Sequence, residues 1–177
     1  MTDFESMALD RLEITQANSA EQIAWVRELF LEYASSLSFS LCFQSFESEL
    51  TQLPGYYAPP EGRLLVALIG DAPAGCVALH RSAPEISEMK RLYVRPRFRG
   101  LGLGKILAQR VIAEARQIGY RKLRLDTVES VMQVAVALYR SLGFEEIAPY
   151  RPNPIEGALY MELRLGDEEQ STTQFSR

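Results

Sequence analysis

The stretch from Ile86 to Val128 constrains the fold of this chain more than any other. An apolar-rich run, ISEMKRLYV at 86–94, leads through RPRFRGLGLGK at 95–105 into a helix-patterned stretch ending at Ile118, and a second run, KLRLDTV at 122–128, follows. Leu107, Val111, Ala115 and Ile118 line one helical face, and Gly119 supplies a stop. A strand–helix–strand unit of this length is long enough for a right-handed crossover, so the two strands are expected to be parallel neighbours.

The flanks read differently. Leu12–Ala17 is a short strand, and Ser19 with Gln22 forms a capping-box pattern that opens a helix running to about Ser38. A second short helix is expected from Gln44 to Leu53, stopped by Pro54-Gly55. Arg63–Gly70 and Ala74–Arg81 form a hairpin around Asp71-Ala72-Pro73. Beyond the crossover, Ser130 is expected to cap a helix from Val131 to Leu142, ended by Gly143, and Phe144–Ala148 and Ala158–Leu165 are the last strands. The expectation is an α/β (α+β) fold: a mixed sheet flanked by helices, in one domain over 1–177. Its core spans about 12–165, with a flexible N-terminal decapeptide and a flexible tail at 166–177. With 47% apolar and 24% charged residues, the chain can bury a core and is not disordered throughout.

No apolar run approaches the ~18 residues a membrane span needs, and MTDFESMALD has acids and no basic n-region, so no secretory signal is expected. Cys42 and Cys76 match neither a disulfide framework nor a zinc spacing. A cytoplasmic protein with both thiols reduced is therefore expected.

The charge is uneven. Glu88 to Arg124 holds 11 of the 19 basic residues and two of the 23 acidic ones, a local +9, which leaves eight basic and 21 acidic residues, or −13, elsewhere. Such a chain is a poor nucleic-acid coat but a good host for a compact polyanion. Gly100, Gly102 and Gly104 free the backbone for close approach and positive φ, and their amides fall at a helix N-terminus. With Arg97, Arg99 and Lys105 beside them, they form a pyrophosphate cradle. Two other phosphate loops fail on spacing: Ile106 follows Lys105 where a P-loop needs Ser or Thr, and G-x-G-x-x-G finds Lys105 or Leu107 at its third glycine.

The run Val94-x-Pro96-x-x-Arg99-Gly100-x-Gly102-x-Gly104, with Ala135-x-x-Leu138-Tyr139-x-x-x-Gly143-Phe144 downstream, resembles the GNAT superfamily of acetyl-CoA-dependent N-acetyltransferases. The resemblance implies a mostly antiparallel sheet of about seven strands, splayed at the cofactor site. It implies that backbone amides from Arg99 through Leu101 to Gly104, with Lys105, hold the CoA pyrophosphate. It further implies that pantetheine pairs with Leu92, Tyr93 and Val94. The family often has Asn three residues before the matched Ala, where this chain has Met132.

Acyl transfer to an amine needs a base, oxyanion donors and an acid for the leaving thiolate. Tyr139, in the family's usual position, is the candidate acid, against a plain packing role. Glu88 is the candidate base, against an exposed strand-end carboxylate paired with Lys90 or Arg91. His80 is the one histidine, and a lone strand histidine is more often structural. Neither cysteine has a basic neighbour, so direct attack through a tetrahedral intermediate is preferred to a covalent route. Asp126 is left open between structure and substrate.

The acceptor side is expected among the first two helices and the loop Tyr150–Gly157, with Tyr33, Phe39, Phe43, Tyr56 and Tyr57 as candidate walls. Arg151 and Asn153 suit a carboxylate or amide, whereas the −13 outside the basic segment suits polyamines or lysine side chains. The expected activity is acetylation of a small primary amine. A protein N-acetyltransferase and a silent CoA-binding sensor are the alternatives, with no metal, nucleic-acid or membrane partner, and a homodimer left open.

Overall fold

The computed structural model describes residues 9–41 and 45–166 of the 177. The expectations for the first eight residues, for Cys42, Phe43 and Gln44, and for the tail beyond Gly166 lie outside the described residues.

Strand β1 (Leu12–Gln16) is followed by helices α1 (Ala20–Ser35) and α2 (Phe46–Gln52), then strands β2 (Arg63–Ile69), β3 (Ala72–Ala83) and β4 (Ile86–Val94). Helix α3 (Leu103–Ile118) crosses to β5 (Lys122–Val128), and α4 (Gln133–Ser141), β6 (Glu145–Ile147) and β7 (Ala158–Arg164) complete the order. The sheet has seven strands in the order β1-β2-β3-β4-β5-β7-β6. Each pairing is antiparallel except β4 with β5, the pair joined by the α3 crossover. The mixed, helix-flanked sheet is therefore as expected.

Local chemistry explains most element ends. The Ser19 capping box is present: Gln22 N donates to Ser19 Oγ at 3.1 Å and Ser19 N to Gln22 Oε1 at 3.2 Å. Helix α1 stops at Ser35, short of the expected Ser38. The β2–β3 turn is Gly70-Asp71, not Asp71-Ala72-Pro73, because Gly70 takes a positive φ of 61° and Ala72 and Pro73 already pair with Ile69 and Leu68. Helix α3 begins two residues earlier than the sequence pattern implied, with Gly102 as its N-cap. Ser130 does not cap α4. The amides of Val131 and Met132 bond to Val128 O at 3.1 and 2.9 Å, so a tight turn follows β5 and Met132 becomes an N-cap with no capping bond from its side chain, whose Sδ accepts instead from Thr127 Oγ1 at 3.5 Å.

The sheet separates two apolar layers. Leu107, Val111 and Ala115 of α3 and Val136 of α4 pack on one face with Leu65, Val77, Leu123 and Met161. Val26, Leu29 and Phe30 of α1, with Phe46 and Tyr57, cover Leu64, Val66, Cys76 and Ala78 on the other.

The middle of the sheet is irregular. Strands β4 and β5 pair only from Ile86↔Lys122 to Glu88↔Arg124 and then part. Just past that point, Ala78 faces Lys90 but Cys76 faces Tyr93, so β4 carries one extra residue against β3. Arg91 takes a left-handed φ of 57° in this bulge, a conformation that costs a non-glycine residue about 1–3 kcal/mol. Bulges bend and twist a strand, and this one turns β4 away from β5. The expected splay is present.

Candidate active site

The bulge is held by a buried ion pair. Arg91 donates to Glu49 of α2 through Nε at 3.0 Å and Nη2 at 2.6 Å, its guanidinium lies 5.1 Å from the Phe46 ring centroid, and Tyr57 Oη donates to Glu49 Oε1 at 2.8 Å. Burial alone would raise the Glu49 carboxyl, but the bonds and charge of Arg91, with the Tyr57 hydroxyl, hold it below the ordinary carboxylate range. At the far end of β4, Arg95 grips Glu32 of α1 in a fork, Nη2 to Oε1 at 2.8 Å, and reaches Glu28 at 3.0 Å. These contacts dock α1 so that Tyr33 stands edge-on to Tyr93, ring centroids 6.2 Å apart.

Two cavities open where β4 and β5 diverge. The larger, about 840 Å³, runs from Tyr33 and Leu92–Val94 past Gly100, Gly102 and Gly104 to Met132 and Leu138. Gly100 and Gly102 take φ of 82° and 75°, and a Cβ built on either would meet nothing within 4 Å. A side chain there would be strained and would project from the loop into open space. With α3 starting at Leu103, the amides of residues 103–105 are the unpaired donors of a helix N-terminus. The Arg99 amide differs: it bonds to Pro96 O at 3.2 Å, and its guanidinium Nε donates to Val94 O at 3.2 Å. The free amides of the loop therefore begin at Gly100 rather than at Arg99. Leu101 is half-buried in the loop, and Lys105 lines the cavity.

Most of the basic segment is neutralised across the fold. Arg91, Arg95, Arg110, Arg121, Lys122 and Arg124 pair with Glu49, Glu28 and Glu32, Glu114, Glu85, and Glu162. Arg97, Arg99, Lys105 and Arg116 make no ion pair among the described residues, and three of these four stand at the glycine turn.

The smaller cavity, about 50 Å³, lies at the point of the wedge and is lined by Tyr33, Phe39, Lys90, Asp126, Tyr139 and Asn153 among others. Tyr139 is 6% exposed, its ring is 5.8 Å from that of Phe144, and its hydroxyl makes no protein hydrogen bond among the described residues. Burial pushes its phenol well above the ordinary value. Glu88 is not an exposed strand-end carboxylate: it is 2% exposed. Of the two partners expected, Arg91 belongs to Glu49 and Lys90 Nζ lies 3.9 Å from Glu88 Oε1; Arg151 Nη2 stands nearer, 2.7 Å from the same oxygen. Burial raises the Glu88 carboxyl, while Lys90 and Arg151 act against that shift. Arg151 Nη2 also bonds to Asp126 Oδ1, and Asn153 Nδ2 donates to Asp126 Oδ2 at 3.0 Å. Asp126 thus organises the 150–157 loop, and Arg151 and Asn153 are turned onto it.

The other candidates fall elsewhere. His80 Nδ1 lies 2.8 Å from Arg81 O, which assigns it the proton, and burial pushes the ring down to about 4, so it is neutral at pH 7. Its Nε2 is 3.7 Å from Glu88 Oε2 and has no hydrogen-bond partner. Tyr57 is core, and Tyr56, half exposed, stands over the His80 ring at 5.1 Å between centroids. Cys76 is buried, its thiol pushed far up by burial and bonded to Arg91 O at 3.4 Å. Lys90 and the Glu49–Arg91–Tyr57 network were not singled out from the sequence, although four charged residues in or near an interior strand (Glu88, Lys90, Arg91 and Arg95) were a signal. Among the described residues, no cluster of three or more His, Cys, Asp or Glu could hold a metal, and no helix is long and apolar enough to cross a membrane.

The chain belongs to the acetyltransferase (GNAT) family, whose model matches residues 24–144. It is 37% identical over 161 residues to a protein of Schizosaccharomyces pombe named only as an uncharacterized N-acetyltransferase, covering 90% of this chain and 98% of that one. Among solved structures, an acetyltransferase from Streptococcus agalactiae superposes with a TM-score of 0.71 at 21% identity, over 87% of this chain and 98% of that one. An acetyltransferase structure from Salmonella typhimurium, described with its cofactor acetyl-CoA, gives 0.62 at 22% identity, over 91% and 97%.

Proposed function

We propose that this chain moves the acetyl group of acetyl-CoA to a primary amine of a small molecule by direct attack. One observation carries the reading: the unpaired amides and uncompensated cations of the 99–105 turn face the same 840 Å³ cleft as the unpartnered edge of β4. The Salmonella neighbour's acetyl-CoA supports the donor's identity.

The donor supplies an activated thioester, and the chain's residues do the rest. Amides from Gly100 to Lys105, with the Arg99 and Lys105 charges, grip a pyrophosphate. The open edge at Leu92, Tyr93 and Val94 accepts an amide-bearing arm as it would an added strand, and main-chain amides near Val94 serve the developing oxyanion. Tyr139 holds the proton for the leaving thiolate, and burial raises its phenol above the ordinary value. Glu88 receives the proton of the attacking amine. Tyr33, Arg151 and Asn153 wall the acceptor end. The two cavities share Tyr33, Leu92 and Met132, which supports an acceptor site at the tip of the donor's channel.

The test is release of free CoA thiol from acetyl-CoA over a panel of primary amines. Turnover with a subset of small amines is expected; tight donor binding without turnover by any amine would instead favour a sensor.

A further inference from the structure

The hydrogen-bonding groups around the narrow cavity are unevenly engaged. The oxygens of its lining carboxylate are taken: Asp126 receives Arg151 on Oδ1 and Asn153 on Oδ2, whereas Glu88 Oε1, 2.7 Å from Arg151 Nη2, makes no hydrogen bond among the described residues. The principal donor of the cavity is also without one. The Lys90 side chain is only 9% exposed, yet among the described residues its Nζ makes no hydrogen bond, and its one ion contact is Glu88 Oε1 at 3.9 Å, beyond hydrogen-bond reach. The β4 bulge produces this. Glu49 engages the neighbouring Arg91, so Lys90 lines the cavity with only the 3.9 Å contact to Glu88.

An enclosed ammonium with open N–H positions is unfavourable unless a ligand completes it. Lys90, Arg151, Glu88 and Asp126 sum to zero charge, so the demand is for a hydrogen-bond acceptor rather than for net charge. A zwitterionic head group adds an acceptor and no net charge. A polyamine would bring further cations to two cations already present and find the Asp126 carboxylate engaged. About 50 Å³ holds only a few water-sized groups, which suits an amine and a carboxylate on adjacent carbons.

We infer that the acetyl acceptor carries a carboxylate close to its amine, as a small α-amino acid does, and that Lys90 binds that carboxylate. This rests on the acetyltransferase reading of the same wedge.

The test uses matched acceptors differing only in the carboxylate: glycine with methylamine, alanine with ethylamine, phenylalanine with phenethylamine. Wild-type protein and acetyl-CoA should give kcat/KM at least tenfold higher for the carboxylated member of a productive pair. Lys90→Met should collapse that ratio towards one, chiefly through KM, and Lys90→Arg should recover part of it. Circular dichroism and acetyl-CoA affinity establish that each variant is folded; should Lys90→Met fail to fold, Lys90→Gln serves in its place. Turnover confined to the carboxyl-free amines, or an undiminished ratio in the folded variant, overturns the carboxylate assignment and leaves acetyl transfer standing. No CoA release with any amine overturns both.

Discussion

Tyr139 and Glu88 sit at the wedge under opposite constraints. Burial raises both, which keeps the phenol protonated but delays ionisation of the carboxyl. Tyr139→Phe should lower kcat about 100-fold, the low end for loss of a general acid, with acetyl-CoA affinity by calorimetry nearly unchanged; an unchanged kcat would remove Tyr139 from that role. A base works only when ionised. The kcat/KM profile should therefore rise with pH through a value above the ordinary carboxylate range, and Glu88→Gln should erase that limb, whereas an intact limb would exclude Glu88. Tyr139 was a candidate from the sequence because it falls in the Ala135-x-x-Leu138-Tyr139-x-x-x-Gly143-Phe144 run. Lys90 was not, because an ammonium with no hydrogen bond follows from a bulge that no residue type announces. Arg91 has none of glycine's tolerance for positive φ, and the contacts that hold its side chain come from Glu49, 42 residues away in sequence.

At the scale of elements, the link between α2 and β4 supports the strained bulge. Glu49→Gln leaves the Arg91 charge buried and unpaired, a loss of about 3–5 kcal/mol, measurable as a lower denaturant midpoint. The sign with pH follows from the lowered Glu49 carboxyl: its stabilisation is present above the ordinary carboxylate value and is lost as pH falls through the folded one. Wild-type protein should thus lose more stability on acidification than Glu49→Gln. The start of α4 offers the opposite test. Met132 caps nothing, so Met132→Asn should stabilise by about 1 kcal/mol, raising Tm by about 2–4 °C. Element identity and order were readable because the hydrophobic periods and the Ser19 box are local signals. The misplaced starts of α3 and α4 share a cause, since both helices begin at residues without a capping side chain, Gly102 and Met132, and tertiary packing fixes their first turns.

Across the whole molecule, the +9 segment was visible in the sequence, but its distribution was not. Ion pairs with acids from α1, α2, α3 and β7 and with Glu85 engage six of its eleven cations, and three of the unpaired ones stand at the glycine turn. Acetyl-CoA binding should therefore weaken several-fold between about 0.05 and about 0.5 M salt, as screening shortens the reach of those charges. The central claim is that bare main chain at this turn grips the donor's pyrophosphate, and calorimetric titration of acetyl-CoA into wild-type protein and Gly102→Val tests it most directly. Saturable binding by the wild type and its loss in the folded variant are predicted; equal affinity in the two would contradict the claim.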